Sequence, residues 1–259
     1  SHSVGMGKAL YHSEPLFRQR IDEAGEVLRP LLGFSLEALI SPAAEGREEA
    51  ERQLARPEVA LPAVVAVEIA LAALWRSWGV RARAFLGHSF GEYAAACLAG
   101  VLRFEDALRV VHARGRLVAS TAPGRMLSVA LGAEELAPLI PGELSLAAVN
   151  AHARSVVSGP AADIEAFAEA LAQRKVATAW LPGSHGFHSR LVEPILGELQ
   201  AVLGRVTLRR PTERYVSSRT GTWIRPREAV DPAYWAAQMR EPVRFSAGLD
   251  TLLAEGCRI

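Results

Sequence analysis

Hydrophobic residues repeat with helical spacing through the first third of the chain. The repeat runs from Leu10 to Leu32, and Gly33 follows as a fitting helix stop. From Leu61 to Trp78 the chain is apolar on nearly every helical face apart from Glu68, which predicts a helix inside the core. A charged surface helix and an amphipathic helix with a basic face are predicted over Glu45–Leu54 and Phe104–Ser120. This part of the chain is therefore expected to be mainly helical.

After Met126 the pattern changes to short strands that alternate with helices. Their order, βαββαβ, is that of a ferredoxin-like unit. The predicted strands are 126–131, 144–150, 155–159 and 177–181, and the predicted helices between them are 133–139 and 161–174. Beyond them we predict a helix over 191–202, a strand near 215–218 and a closing helix from residue 232. The sequence thus predicts an α/β fold in which a small subdomain, residues 125–182, is inserted into a large one, residues 1–124 and 183–259.

A tight turn rich in glycine lies between a predicted strand, Arg83–Leu86, and a predicted helix that ends near Leu98. The turn reads Gly-His-Ser-Phe-Gly and matches G-x-S-x-G, in which a strained serine needs small neighbours. Ser89 is therefore a candidate nucleophile. The main-chain N–H of Phe90, at the start of the helix, is a candidate donor to an oxyanion.

A nucleophilic serine needs a base, and the chain has seven histidines. His88 adjoins Ser89, but neighbours on a sharp turn point apart, so we expect it to be structural. His185 and His188 lie in an irregular loop at the end of the small subdomain, where loops commonly line clefts. Chemistry alone leaves the choice between these two open.

Composition excludes several classes of function. The 29 Lys and Arg against 28 Asp and Glu give a formal charge of +1, so no strong field attracts nucleic acid or an anionic membrane. Cys97 and Cys257 are far apart and form no metal-binding motif, which favours a reducing, cytoplasmic setting. The longest apolar stretch, 59–75, is interrupted by Pro62 and Glu68 and is shorter than the roughly 20 residues of a membrane span. We expect neither nucleic acid nor a membrane as a partner.

Six motifs in a fixed order resemble those of the acyltransferase domain of modular polyketide synthases, which is kin to malonyl-CoA:acyl carrier protein transacylases. The motifs are Val4-Gly5-Met6-Gly7, Gly87 to Tyr93, Ala113 to Arg116, Asn150, His185 to Ser189, and Tyr234-Trp235 through Glu241 to Phe245. The resemblance runs nearly end to end. It implies an α/β-hydrolase-like large subdomain with an inserted ferredoxin-like small one.

The resemblance also implies roles for individual residues. Ser89 matches the nucleophile that becomes the acyl-serine, and His188 matches the general base. Arg114 matches the arginine that holds the free carboxylate of a malonyl-type group, which a planar guanidinium binds through two parallel hydrogen bonds. Gln238 matches the residue whose main-chain carbonyl orients the histidine. Phe90 matches an oxyanion donor, and His88 and Asn150 are expected to support the site.

The tetrapeptide that ends in the catalytic histidine indicates the acyl group. In this family it is usually His-Ala-Phe-His for malonyl and Tyr-Ala-Ser-His for methylmalonyl selectivity. His185, Gly186 and Phe187 favour malonyl, and Phe187 would fill the space of a 2-methyl group. One methyl changes binding by only about 1 to 3 kcal/mol. Because Gly186 replaces the usual alanine, methylmalonyl or an unusual extender stays an alternative.

The implied reaction is ping-pong transfer of an acyl group from acyl-CoA, through acyl-Ser89, to the phosphopantetheine thiol of an acyl carrier protein. No permanently bound cofactor or metal is implied. The expected partners are malonyl-CoA, the carrier protein and neighbouring domains such as a ketosynthase. A Gly-Gln-Gly segment that supplies a second oxyanion N–H in this family would come before Ser1. The competing hypotheses are a serine hydrolase and a structural domain without activity.

Overall fold

The computed structural model describes residues 2–257. Its α-helices are α1 Lys8–Ser13, α2 Pro15–Leu32, α3 Glu37–Ile40, α4 Arg47–Leu54, α5 Pro57–Ser77, α6 Gly91–Leu98, α7 Phe104–Ala119, α8 Ala133–Leu136, α9 Ala161–Gln173, α10 Leu196–Leu203, α11 Pro226–Ala229, α12 Pro232–Arg240 and α13 Phe245–Ala254. Its strands are β1 Phe85–Leu86, β2 Gly124–Val129, β3 Ser145–Ala151, β4 Arg154–Pro160, β5 Thr178–Trp180 and β6 Tyr215–Val216. Short 3₁₀ helices span Ala44–Gly46, Ala137–Leu139 and Arg190–Ile195. The fold is α/β, as the sequence predicts.

The middle of the chain forms one antiparallel sheet of order β3-β4-β2-β5. Numbered within the unit, this order is 2-3-1-4, which is the ferredoxin-like arrangement. One face of the sheet packs on α9 through a small core that includes Leu127, Val157 and Phe167. The division at residues 125 and 182 stays a prediction, and residues 1, 258 and 259 of the predicted large subdomain lie outside the described residues.

The rest of the chain packs around α5, which contacts α2 and α7. Helix α5 is long and apolar enough to cross a membrane by length and composition, but more than half of its most apolar window is buried inside this fold. A Cβ added at Gly115 of α7 would lie 2.5 Å from Glu58 Cα, so glycine allows the two helices to approach closely. Helix α5 is therefore the central helix of the large core.

Several element boundaries differ from the predicted ones. The first predicted helix is two helices, because Pro15 starts a new one. Helix α5 starts at Pro57 rather than at Leu61 and continues through Pro62. Pro62 has no N–H for the Glu58 carbonyl four residues earlier, and the His112 ring contacts that carbonyl at 2.9 Å instead. The His112 ring thus gives the Glu58 carbonyl a partner in place of the missing helical N–H.

The C-terminal region also differs, since the closing helix is divided into α12 and α13 at Pro242. Between them, Val243 pairs with the edge strand β3 of the small sheet. The Val149 amide donates to the Val243 carbonyl at 2.8 Å, and the Val243 amide donates to the Ala147 carbonyl at 2.9 Å. These two hydrogen bonds connect the small sheet to the short segment between α12 and α13.

The strand that precedes the candidate nucleophile is shorter than predicted. Strand β1 has two residues and pairs in parallel with β6, Phe85 opposite Tyr215 and Leu86 opposite Val216. Helix α6 follows after four residues, so β1 and α6 hold the turn that contains Ser89 from both sides.

Candidate active site

The turn after β1 holds Ser89 in a strained backbone conformation. Its φ is +53°, a left-handed value that is uncommon for a residue with a side chain. A Cβ added at Gly87 would lie 2.2 Å from the Gly91 carbonyl carbon, so no larger residue fits there. The amides of Gly91 and Glu92 donate to the carbonyls of His88 and Ser89. This geometry is that of a nucleophile elbow, and Phe90 lies at its junction with α6.

His188, rather than His185, contacts the serine. Its Nε2 lies 2.6 Å from the Ser89 hydroxyl oxygen, and both side chains are buried. Its Nδ1 lies 2.9 Å from the main-chain carbonyl of Glu241. A carbonyl only accepts, so Nδ1 carries the proton and Nε2 is left as the acceptor that faces the hydroxyl. Ser89 and His188 can therefore act as nucleophile and base.

The predicted role of Gln238 is wrong, because the carbonyl beside His188 belongs to Glu241. Glu241 follows the last residue of α12 and is extended, with φ −78° and ψ 159°, which turns its carbonyl away from the helix. The Gln238 side chain instead lies between two other site residues. Its Nε2 donates to the Ser89 carbonyl at 2.7 Å, and its Oε1 accepts from Arg114 Nη1 at 2.9 Å.

The Arg114 side chain reaches the Ser89 hydroxyl from helix α7 and is fully buried. Its Nη2 donates to the Ser89 hydroxyl oxygen at 3.3 Å, and its Nη1 donates to Gln238. The guanidinium also lies 5.6 Å from the ring centre of Tyr93. Neither hydrogen-bond partner is a carboxylate, and Nε has no partner among residues 2–257. A buried cation without a counter-ion is costly, so this arrangement favours a negatively charged ligand beside Ser89.

A cavity of about 270 Å³ opens in front of Ser89 and His188. Its wall is largely apolar and comes from both the small sheet and the large core. The wall includes Ala60, Leu61, Phe90, Met126, Val156, Leu181, His185 and Phe187. His88 and Asn150 also line it, and His88 Nε2 lies 2.8 Å from Asn150 Oδ1. This pair links the turn of Ser89 to strand β3.

Gly186 lies between His185 and Phe187 in the loop that leads to His188. A Cβ added to it would lie 2.7 Å from Leu191 Cδ1 and 3.1 Å from Ser189 Oγ. The Ser189 hydroxyl donates to the Gly186 carbonyl at 2.6 Å. Glycine thus lets the loop pack closely against its own following turn.

Burial controls the charge states at the site. Burial, together with the nearby Arg114 guanidinium, lowers the pKa of His188 to about 3. Burial also lowers the pKa of His88 and of His185. The hydrogen bond with Asn150 acts in the opposite direction and raises the pKa of His88, but its effect is smaller. His188 is therefore neutral at ordinary pH and available as a base.

A buried acidic residue that the sequence interpretation gave no role lies beneath the site. Glu92 of α6 accepts hydrogen bonds from the Ser218 amide, the Ser218 hydroxyl and the Tyr234 hydroxyl. Burial raises the pKa of its carboxyl group, although these donors oppose that rise. The sequence signal for it was a carboxylate in a helix that is otherwise almost entirely apolar, 91–98. Glu241 had no comparable signal, because its contribution is a main-chain carbonyl.

Comparison with known proteins identifies the class. The family model described as "Acyl transferase domain" matches residues 1–259. A phenolphthiocerol/phthiocerol polyketide synthase protein of Mycobacterium tuberculosis is 38% identical over 256 residues, which are 99% of this chain and 17% of that protein. Polyketide synthase GfsE of Streptomyces halstedii is 38% identical over 265 residues, 99% of this chain and 7% of its own length. The chain thus spans less than a fifth of these curated relatives.

Solved structures show the same similarity. The acyl transferase domain of ZmaA superposes with a TM-score of 0.91 at 38% identity, covering 98% of this chain and 59% of that one. The acyl transferase domain of SpnD, in complex with 2-(pent-4-yn-1-yl)malonyl, gives a TM-score of 0.90 at 36% identity, covering 98% of this chain and 60% of that one. The match to the family model along the whole chain agrees with the serine elbow, the buried histidine and the ferredoxin-like sheet. The chain belongs to the acyl transferase domain family and is an acyltransferase of the kind found in polyketide synthases.

Proposed function

We propose that this domain transfers a malonyl group from malonyl-CoA, through a malonyl ester of Ser89, to the phosphopantetheine thiol of an acyl carrier protein. The observation that carries the proposal is Arg114, a buried guanidinium that contacts the Ser89 hydroxyl and has no carboxylate partner within residues 2–257. A malonyl group on Ser89 has its carboxylate carbon three bonds from Oγ. This chain length brings the carboxylate within reach of the guanidinium.

In the first half-reaction the Ser89 hydroxyl oxygen attacks the thioester carbonyl, and His188 Nε2 accepts the hydroxyl proton. The negative oxygen of the tetrahedral intermediate would be stabilised by the N–H of Phe90. When the carbon–sulfur bond breaks, His188 returns the proton to the departing CoA thiolate. The Glu241 carbonyl, 2.9 Å from Nδ1, holds the ring in the tautomer that these transfers need.

In the second half-reaction the carrier's thiol enters where CoA left. His188 takes the thiol proton, the thiolate attacks the ester carbonyl, and the bond from that carbonyl carbon to Ser89 Oγ breaks. The proton on His188 then passes to the Ser89 oxygen, which restores the resting enzyme. The largely apolar cavity wall offers few groups that would hold a water molecule beside the ester, which favours the thiol over hydrolysis.

Malonyl is the proposed extender because two aromatic rings, Phe90 and Phe187, lie on the cavity wall. They leave less room beside Ser89 than small residues would. The structure of the SpnD domain contains a malonyl group that carries a substituent. The alternative proposal is therefore that this domain transfers a larger, substituted malonyl group. Neighbouring ketosynthase and carrier domains, and the cytoplasmic location, stay predictions.

The test is intact-protein mass spectrometry after mixing the domain with equal amounts of malonyl-CoA, methylmalonyl-CoA and acetyl-CoA. We expect a malonyl adduct that is absent in Ser89→Ala and that pantetheine removes as malonyl-pantetheine. A methylmalonyl adduct would overturn the extender but not the mechanism. Release of free malonate without transfer to pantetheine would favour a hydrolase, and the absence of any adduct would favour an inactive domain.

A further inference from the structure

The Gln238 amide lies at the centre of a buried polar network. Its side chain is almost fully buried, and its two ends contact different parts of the site. The Oε1 atom accepts from Arg114 Nη1, and the Nε2 atom donates to the main-chain carbonyl of Ser89. One side chain thus connects the residue proposed to bind the substrate's carboxylate to the backbone of the nucleophile.

The orientation of this amide follows from its neighbours. Nε2 has a second acceptor, the Ser218 hydroxyl oxygen at 3.2 Å, and Glu92 Oε2 lies 3.5 Å away. All of these atoms are acceptors for an N–H, so the NH₂ end must face them and the oxygen must face Arg114. Glu92 is in turn held by Ser218 and Tyr234. A flipped amide would place N–H donors against the Arg114 donors and would turn the amide oxygen toward the Ser89 carbonyl oxygen and the Glu92 carboxylate, which are acceptors.

We propose that Gln238 is a positioning residue that holds the Arg114 guanidinium against Ser89 and thereby sets the preference for acyl groups that carry a free carboxylate. The inference rests on the proposed function of Arg114. Within the described part of the chain, Nη1 and Nη2 each make one hydrogen bond, to Gln238 and Ser89, and Nε makes none. A guanidinium has five N–H groups, so donors remain that a substrate carboxylate could use.

A neutral amide suits this role better than a carboxylate would. Gln238 fixes the direction of Arg114 without neutralising its charge, so the attraction for a substrate carboxylate is retained. The nearby carboxylate, Glu92, is separated from Arg114 by that amide. Glutamate at position 238 would pair with Arg114 directly and compete with the substrate.

The first test is Gln238→Met, which keeps the approximate length of the side chain and removes its hydrogen bonds to Arg114, Ser89 and Ser218. We expect kcat/KM for malonyl-CoA to fall about 10- to 100-fold, as for loss of a hydrogen bond to a charged group, and that for acetyl-CoA to fall less than about threefold. Labelling of Ser89 by a fluorophosphonate, which needs His188 but no carboxylate site, should stay within about threefold of its original rate. The matched control is Gln200→Met, at an exposed glutamine of α10, with no change expected.

The second test is Gln238→Glu, which distinguishes positioning from simple support of the fold. We expect a larger loss with malonyl-CoA than in Gln238→Met, because the new carboxylate occupies Arg114. A purely structural role predicts that malonyl transfer, acetyl transfer and labelling fall together in both variants, and that result would overturn the proposal. If Gln238→Met does not fold, Ser218→Ala removes an acceptor of Nε2 and should lower the malonyl-to-acetyl ratio by about two- to fivefold. An unchanged ratio there would also overturn it.

Arg114→Ala in the same assays separates this inference from the proposed function. If Arg114→Ala lowers the malonyl-to-acetyl ratio and Gln238→Met does not, Arg114 binds the carboxylate without help from Gln238, and only the inference fails. If Arg114→Ala leaves the ratio unchanged, the proposed carboxylate site itself is wrong.

Discussion

Two arginines on helix α7 lie two residues apart and have opposite environments. Arg114 is fully buried, bonded to an amide and a hydroxyl, and has no carboxylate at hydrogen-bond distance among the described residues. Arg116 is 64% exposed and forms an ion pair with Glu198 at 3.1 Å. Exposed pairs contribute little to stability because water and salt screen them. Under the proposed function, the arginine that has no carboxylate partner among residues 2–257 is the one that binds the ligand, and the ion-paired one is not.

Removal of the buried arginine, Arg114, should have the largest effect on malonyl transfer. Arg114→Ala should lower kcat/KM for malonyl-CoA by about 100- to 1,000-fold, because a buried substrate charge loses its partner. Acetyl-CoA, which has no free carboxylate, should become the better substrate. Competition between the two thioesters, read by mass spectrometry of Ser89, measures the change. Equal losses with both thioesters would contradict the assignment.

Gly115 lies between the two arginines, on the face of α7 that packs closely against α5. A substitution there tests this close packing. In Gly115→Ala the new Cβ would lie 2.5 Å from both Glu58 Cα and the Pro57 carbonyl oxygen, so α5 and α7 must separate. We expect a loss of about 1 to 3 kcal/mol in the free energy of unfolding. Urea unfolding measures it, with Gly142→Ala as a control at a position with open space. Equal stability of both variants would contradict the close packing of these helices.

The pH dependence of Ser89 labelling tests whether Arg114, and not Arg116, lowers the pKa of His188. Its pKa of about 3 keeps the imidazole neutral, so fluorophosphonate labelling should change less than about twofold between pH 8 and pH 5. An ordinary histidine would lose reactivity as the pH falls through about 6.5. Because Arg114 lowers this pKa, Arg114→Ala should raise the pH at which labelling starts to fall, whereas Arg116→Ala should not. A wild-type midpoint near pH 6.5 would refute the proposed environment.

The smallest expected effect is that of Arg116→Ala. An exposed ion pair contributes below about 1 kcal/mol, so the unfolding free energy should change by less than about 0.5 kcal/mol. Malonyl transfer should stay within about twofold of the original value. A larger loss of transfer would show that charge on the outer face of α7, and not burial at Arg114, controls the reaction.

Periodicity in the sequence was sufficient for the α/β class and the ferredoxin-like order, because alternation and helical repeats report directly which faces are buried. It did not set the helix bounds. Helix α5 continues through Pro62, and His112, distant in sequence, contacts the Glu58 carbonyl that the proline leaves without its helical partner. A local pattern contains no information about such a partner.

The motif G-x-S-x-G between a predicted strand and a predicted helix was enough to predict the elbow, because a strained serine requires small neighbours. Residue types alone left the choice between His185 and His188 open, and the family resemblance assigned the base to His188. The structure agrees, since His188 contacts Ser89, and it shows that Glu241 rather than Gln238 supplies the carbonyl. It also decided that the Gln238 side chain holds Arg114. The physical reason is that hydrogen-bond partners across the fold depend on distance and direction in space, which residue types and their spacing along the chain do not specify.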